Sequence, residues 1–181
     1  MQRNLWAPWR MAYIRDLDAQ AAQAKIQPPP DGDGDFIAAA WRRPVLDEAN
    51  HVVHRDAHGL ILLNRYPYAN GHLLAALGEA RPRLGDHDAA ARAHFWRLVD
   101  LAAALVEVAL RPQGVNIGVN EGRAAGAGLP QHVHAHILPR WNGDTNFMST
   151  VAGVRVVPES LDAVARRFRD ALPEATARAH A

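Results

Sequence analysis

Polar and apolar residues alternate strictly in two segments of the chain, VNIGVN at 115–120 and HVHAHI at 132–137. Period-two alternation predicts half-buried β-strands, because successive side chains of an extended chain point to opposite faces. Three further runs, HVVHR (51–55), LILLN (60–64) and HLLAAL (72–77), read as short strands. Pro67 and Asn70-Gly71 supply the turn before the last of them. The period then changes. Phe95, Leu98, Val99, Ala102, Leu105, Val106 and Ala109 recur at three- and four-residue spacing, with Arg97, Asp100 and Glu107 on the opposite side. That pattern predicts an amphipathic helix from Asp86 to Leu110, stopped by Pro112 and Gly114. PESLDAVARRFRDAL predicts a second one, opened by Pro158. Grouped strands with helices set apart give an α+β domain: a mostly antiparallel sheet of about five strands, with a long helix and a C-terminal helix packed on it.

Ahead of this block, residues 1–15 set Trp6, Trp9 and Tyr13 among arginines, as in an arm that buries aromatics on its own domain or a partner subunit. Residues 17–25 read as a short Ala/Gln helix. PPPDGDGD (28–35) cannot continue a helix and reads as a linker. The expected division is therefore an arm and linker at 1–35 and a domain at 36–181. FIAAAWRRPV (36–45) precedes the first strand and shows no clear period.

Composition narrows the chemistry more than the fold. With 181 residues, 49% hydrophobic and 22% charged, the chain fits a globular protein with a substantial core. Its net charge of +1 offers no global field for nucleic acid or an anionic membrane. It has no cysteine, which excludes disulfides, thiolate metal sites and thiol catalysis. MQRNLWAPWRMAYIR lacks the apolar stretch of a secretory signal, and LVDLAAALVEVAL is broken by Asp100 and Glu107. A cytoplasmic protein with no membrane partner is the expectation.

Ten histidines are many, and three of them carry the pattern. On a strand, His132, His134 and His136 project to one face, about 6–7 Å apart from one to the next, while Val133, Ala135 and Ile137 face a core. In the neighbouring candidate, Val115, Ile117 and Val119 face one way and Asn116, Gly118 and Asn120 the other. Antiparallel pairing with apolar faces matched makes a ledge of imidazoles and amides, with Gly118 leaving room for a ligand. The connecting EGRAAGAGLPQ, with Gly122, Gly126 and Gly128, offers backbone N–H groups to an anion and Arg123 as a cation. A lone strand imidazole is usually exposed or tied to a carbonyl; three in register are a different matter. A metal site is the weaker reading, because same-face positions spread along a line instead of converging on a point. Covalent catalysis fits better. A neutral imidazole whose other ring nitrogen is anchored by an acceptor can attack phosphorus, with His134 as nucleophile and its neighbours holding phosphoryl oxygens or the ring.

HVHAHIL resembles the His-x-His-x-His-x-x signature of the histidine triad superfamily of nucleotide hydrolases and transferases. LWAPWRMAYI, LLNRYPYANGHLL, VNIGVNEGRAAGAG and HVHAHILPRWNGDTNFM are similar to landmarks of its longer bacterial branch, which includes the diadenosine tetraphosphate phosphorylase type. The resemblance implies a histidine-triad fold, usually a homodimer, and a two-step reaction through a nucleotidyl-histidine at His134, supported by His132 and His136. It further implies that Asn64 meets the ribose, that His72 lines the pocket, and that Asn120 meets the α-phosphate. Gly128 belongs to the phosphate loop and Trp141 is the aromatic after the triad. The substrate is a nucleotide, with a dinucleoside polyphosphate first. A nucleoside phosphoramidate, or nucleotide binding with little turnover, is the alternative. No cofactor is required, although magnesium can accompany a polyphosphate. Two departures stand out. DFIAAAWRR replaces the Cys-x-x-Cys pair with which many members bind zinc, and GAGLPQ lacks the Ser or Thr that many carry before the triad. The uridylyltransferase relatives have glutamine at the third triad position, so His136 favours the hydrolase or phosphorylase side.

Overall fold

The computed structural model describes residues 34–144 and 159–179. The chain divides into two units, Met1–Gly34 and Asp35–Ala181, and the second holds every described helix and strand. The aromatic arm, the expected 17–25 helix and most of the linker lie outside the described residues. Asp35 goes with the second unit because it caps that unit's first helix.

Helix α1, Phe36–Arg42, has no counterpart in the periodicity of the sequence. It starts because the Asp35 side chain accepts from the Ala38 N–H at 2.8 Å, and Pro44 lies just beyond its end. Strands β1 (Val52–Arg55), β2 (Gly59–Leu63) and β3 (Leu73–Leu77) come next in the chain, then α2 (Ala89–Leu110), β4 (Gly114–Val119), β5 (His134–Arg140) and α3 (Leu161–Ala179). The long helix begins three residues later than expected. Leu84–Asp86 forms a 3-10 turn, and the Asp88 carboxylate caps α2 through the Ala91 N–H. Among the described residues no helix is long and apolar enough to cross a membrane.

The five strands form one antiparallel sheet in the order β1-β2-β3-β5-β4. Its two faces differ. On one, Ile61, Leu63, Leu73, Ala75, Ala135 and Ile137 pack against Phe95, Leu98, Ala102 and Leu105 of α2 and Val164 and Phe168 of α3. Phe95 and Phe168 are fully buried, each contributing roughly 2–3 kcal/mol relative to exposure. On the other face a smaller cluster, Leu60, Leu62, Leu74 and Ala76 with Leu129, receives Ile37 and Ala40 of α1.

Arg55 fixes α1 at its C-terminal end. Its guanidinium donates to the Ala40 and Trp41 carbonyls at 2.9 and 3.1 Å and grips Asp47, with the Trp41 ring below it at 5.1 Å. Donation to the last carbonyls of a helix suits their partial negative charge. Gly78 lies against the same indole so closely that any side chain there would collide with it. The turn into β3 depends on Gly71, whose φ of +78° and contact with Leu110 exclude a Cβ.

Candidate functional site

The face that carries α1 also carries the histidines. In the sheet register His134 lies opposite Ala76, and His136 lies between Leu74 on β3 and Gly118 on β4. Matching of apolar faces across β4 and β5 is as the alternation predicts, with Ile117 opposite Ile137 and Val119 opposite Ala135. A side chain at Gly118 would meet no described atom within 4 Å, so the space beside His136 is open. One expectation changes. The strand begins at His134, two residues later than the alternation suggests, and runs on to Arg140. His132 sits in the bend before it, where its N–H donates to the Leu129 carbonyl.

Each of the three imidazoles is nine-tenths or more buried, and each ring has a different anchor. His134 Nδ1 lies 2.8 Å from the backbone carbonyl oxygen of His132. A carbonyl only accepts, so Nδ1 donates and the neutral ring keeps its lone pair on Nε2. The His134 pKa is lowered from the ordinary histidine value chiefly by burial; the hydrogen bond to His132 opposes that shift. The ring is therefore a free base at neutral pH.

His136 is set by a chain of donors. The backbone N–H of Tyr68 points at His72 Nδ1 at 3.2 Å, and the Asn64 side-chain amide lies 3.3 Å from the same nitrogen. Since a backbone N–H can only donate, His72 Nδ1 accepts and its proton lies on Nε2. Nε2–H then donates to His136 Nδ1 at 2.9 Å. His136 is left with its proton on Nε2. Burial, then the neighbouring His134, push its pKa down to about 4, so it remains neutral. The Tyr68 ring stacks on His136 with centroids 5.9 Å apart, and the His134 and His136 rings are 4.9 Å apart.

His132 differs from both. Its Nε2 lies 2.8 Å from the Leu77 carbonyl oxygen and its Nδ1 lies 3.0 Å from the Asp35 carboxylate. Both ring nitrogens face oxygen acceptors, and both donate. Burial alone would raise the Asp35 pKa. The hydrogen bonds from His132 and Ala38 outweigh it and hold the carboxyl below its ordinary range, so an ionised carboxylate faces the His132 ring.

The structure thus brings His134, His136, His72 and Asn64 into one connected cluster beside Gly118. Among the described residues, no hydrogen bond or ring contact joins Asn120, Gly128 or Trp141 to it. Asn120 follows β4, where its amide faces Gly126 in the loop. Gly128 is exposed, with open space around it. Trp141 follows β5, where its N–H meets Asp144, itself gripped by Arg140. A cleft of about 500 Å³ between Trp41, Gly78, His87 and Arg97 includes none of the three histidines.

Two residues of the cluster are not marked by the strand pattern. Asp35 carries the signal of an N-cap, an acidic residue just before an apolar run, but it falls at the end of the expected linker. Tyr68 belongs to the YPY turn, and nothing in the turn chemistry marks its ring as a wall of the site. No group of three or more His, Cys, Asp or Glu among the described residues is arranged to hold a metal ion. Where the Cys-x-x-Cys pair is missing, this chain has Asp35 and α1: Ile37, Ala38 and Ala40 have no side-chain ligand atoms, and the Asp35 carboxylate is engaged by the Ala38 N–H and His132. The residues present do not fit zinc there.

Comparison with known proteins agrees with this geometry. The HIT domain family matches residues 46–143. An AP-4-A phosphorylase of Mycobacterium tuberculosis is 32% identical over 160 residues, covering 88% of this chain and 78% of its own. The asymmetrical bis(5'-nucleosyl)-tetraphosphatase of Schizosaccharomyces pombe is 30% identical over 52% of each chain. Among solved structures, a histidine triad nucleotide-binding protein from Sulfolobus tokodaii superposes with a TM-score of 0.64 at 22% identity, covering 77% of this chain and 93% of its own. A zinc-bound histidine triad family protein from Mycobacterium smegmatis superposes with a TM-score of 0.58 at 27% identity, over 71% and 88%. With a family match across more than half of its length and a mycobacterial relative aligned over most of it, the chain belongs to the HIT domain family.

Proposed function

We propose that this protein cleaves dinucleoside polyphosphates through a nucleotidyl-histidine on His134, with phosphate as the first-choice acceptor and water as the second. The observation that carries the reading is the tautomer of His134: a buried neutral ring with Nδ1–H held by a main-chain carbonyl and Nε2 free as a nucleophile. In the first step the Nε2 lone pair attacks the α-phosphorus. The bond to the bridging oxygen breaks, and its electron pair departs with the nucleoside polyphosphate. The ring then carries positive charge, which its Nδ1–H shares with the His132 carbonyl. In the second step phosphate or water attacks phosphorus, the P–N electron pair returns to Nε2, and the attacking group's proton passes to solvent. His136, with Nε2–H available, donates to phosphoryl or leaving oxygens. His72 and Asn64 hold His136 in that state, and Asn64 has a second role at the ribose. Asn120, Gly128 and Trp141 line the phosphate and nucleotide path, and magnesium enters, where it does, with the substrate.

The relative that aligns over most of the chain is named a phosphorylase, which supports phosphate as acceptor. A homodimer accords with β4, an edge strand among the described residues whose Ile117 is 47% exposed. The test is incubation with diadenosine tetraphosphate with and without inorganic phosphate. ATP and ADP formed only with phosphate means phosphorolysis; ATP and AMP without it means hydrolysis. If neither forms, the reading fails and nucleoside phosphoramidates become the next substrates to try.

A further inference from the structure

We propose that Asp35 is a positioning residue for the nucleophile: its carboxylate holds the His132 ring, and through His132 the main-chain carbonyl that fixes the tautomer of His134. This deepens the proposed function and rests on it for its kinetic part.

The sequence of contacts is continuous. Asp35 Oδ1 accepts from the Ala38 N–H at 2.8 Å, which ties the carboxylate to the first turn of α1. The same carboxylate meets His132 Nδ1 at 3.0 Å, and His132 Nε2 donates to the Leu77 carbonyl at the end of β3. His132 is thereby held from two sides, by a helix and by a strand. Its carbonyl accepts the His134 Nδ1 proton, and the peptide that carries it is also held by the Val133 N–H, which donates to the Arg81 carbonyl at 2.7 Å. Helix α1 is in turn fixed at its other end by Arg55, so the carboxylate rides on an element that has no freedom to drift. Asp35 is 5% exposed and His132 is fully buried, so neither ring nitrogen of His132 is open to a phosphate.

Charge gives the second half of the argument. A lone imidazolium beneath His134 would oppose the positive charge that the nucleophile acquires in the covalent intermediate. The Asp35 carboxylate cancels it, leaving an ion pair with no net charge under the reacting ring. A neutral residue at 35 would leave a doubly protonated His132 without its counter-charge and favour loss of one ring proton. Either change loosens the carbonyl on which the tautomer depends.

Two substitutions separate this role from helix capping. Asp35→Asn and Asp35→Ser both keep a side-chain oxygen suited to the N-cap, and neither has the charge. Each is expected to lower the rate of nucleotidyl transfer about 10- to 100-fold, with KM changed less than about threefold and the fold retained by circular dichroism. Ring ¹⁵N NMR of the protein supplies a readout independent of turnover. In the unaltered chain at neutral pH, His132 should carry protons on both nitrogens and His134 on Nδ1 alone. In Asp35→Asn, His132 should lose one proton and His134 should show a tautomer mixture. Full rate in Asp35→Ser, or a singly protonated His132 in the unaltered chain, overturns the proposal. If the unaltered protein cleaves no dinucleoside polyphosphate, the functional reading falls, and the NMR arm still decides the role of Asp35.

Discussion

The two histidines flanking His134 share a residue type and the alternation of the sequence, yet their surroundings hold them in different ways. At the His132 end, both ring nitrogens meet oxygens, one from a carboxylate and one from a carbonyl, and the ring is held between two acceptors. At the His136 end, Nδ1 meets an N–H relayed from the Tyr68 backbone through His72, and the ring is neutral with a pKa near 4. One flank carries the carbonyl that meets His134; the other faces the open space at Gly118. The roles come from the contacts around each ring, and the order of the histidines along the strand does not reveal them.

Substitution at the centre should produce the largest effect. His134→Ala removes the triad ring whose Nε2 is presented as a lone pair, and a loss of about 10³-fold or more in turnover is expected. Steady-state assays with saturating phosphate check it, and the two flanks provide controls. His72→Leu removes the donor that fixes His136 and leaves everything at the Asp35 end intact. A fall of about 10- to 100-fold in kcat is expected, with a smaller change in KM. A larger loss than at His134 would invert the comparison.

Acid should sharpen the contrast between the flanks. His54, His87, His134 and His136 all have pKa values lowered in the fold, each first of all by burial. A histidine with a lowered folded-state value leaves stability intact above its unfolded value near 6.5 and removes it as pH falls toward the folded value. Stability should therefore decline from about pH 6.5 toward pH 4, by roughly 3 kcal/mol for His136 alone. Asp35, with a lowered carboxyl pKa, loses its contribution only below the ordinary carboxylate range. Chemical denaturation at a series of pH values should show two separate declines, the histidine one first and the Asp35 one only at lower pH.

The smallest effect lies outside the site. His87 is 5% exposed, and its Nε2 is buried without a hydrogen-bond partner among the described residues. Replacing an unsatisfied buried polar group by an apolar one of similar size is favourable, so His87→Leu should stabilise the fold by about 1 kcal/mol. A rise of a few degrees in Tm with unchanged kcat is the expected outcome.

Much of this architecture is legible in the order of residues. The long helices and β4 and β5 follow from periodicity, whereas β2 and β3 follow from short unbroken apolar runs bounded by turn residues, since both of their faces are buried. Gly118 beside His136 follows from the alternation. Helix α1 is not legible, because FIAAAWRR is too short to display a period and its boundaries depend on a cap and a proline. The connection of Asp35 to His132, 97 residues apart, cannot be read from local spacing. Nor can the displaced start of β5. Alternation predicts a strand from His132, whereas the competing hydrogen bonds to Asp35, Leu77 and Leu129 draw that residue out of the ladder.

The central claim is that His134, and neither flanking ring, takes the nucleotide. Rapid mixing with diadenosine tetraphosphate, an alkaline quench that preserves the acid-labile P–N bond, and peptide mapping by mass spectrometry test it directly. The account predicts an adenylyl group on His134 that forms no more slowly than product and disappears on adding phosphate. An adduct on His132 or His136, or turnover with no covalent adduct at any time, would contradict it.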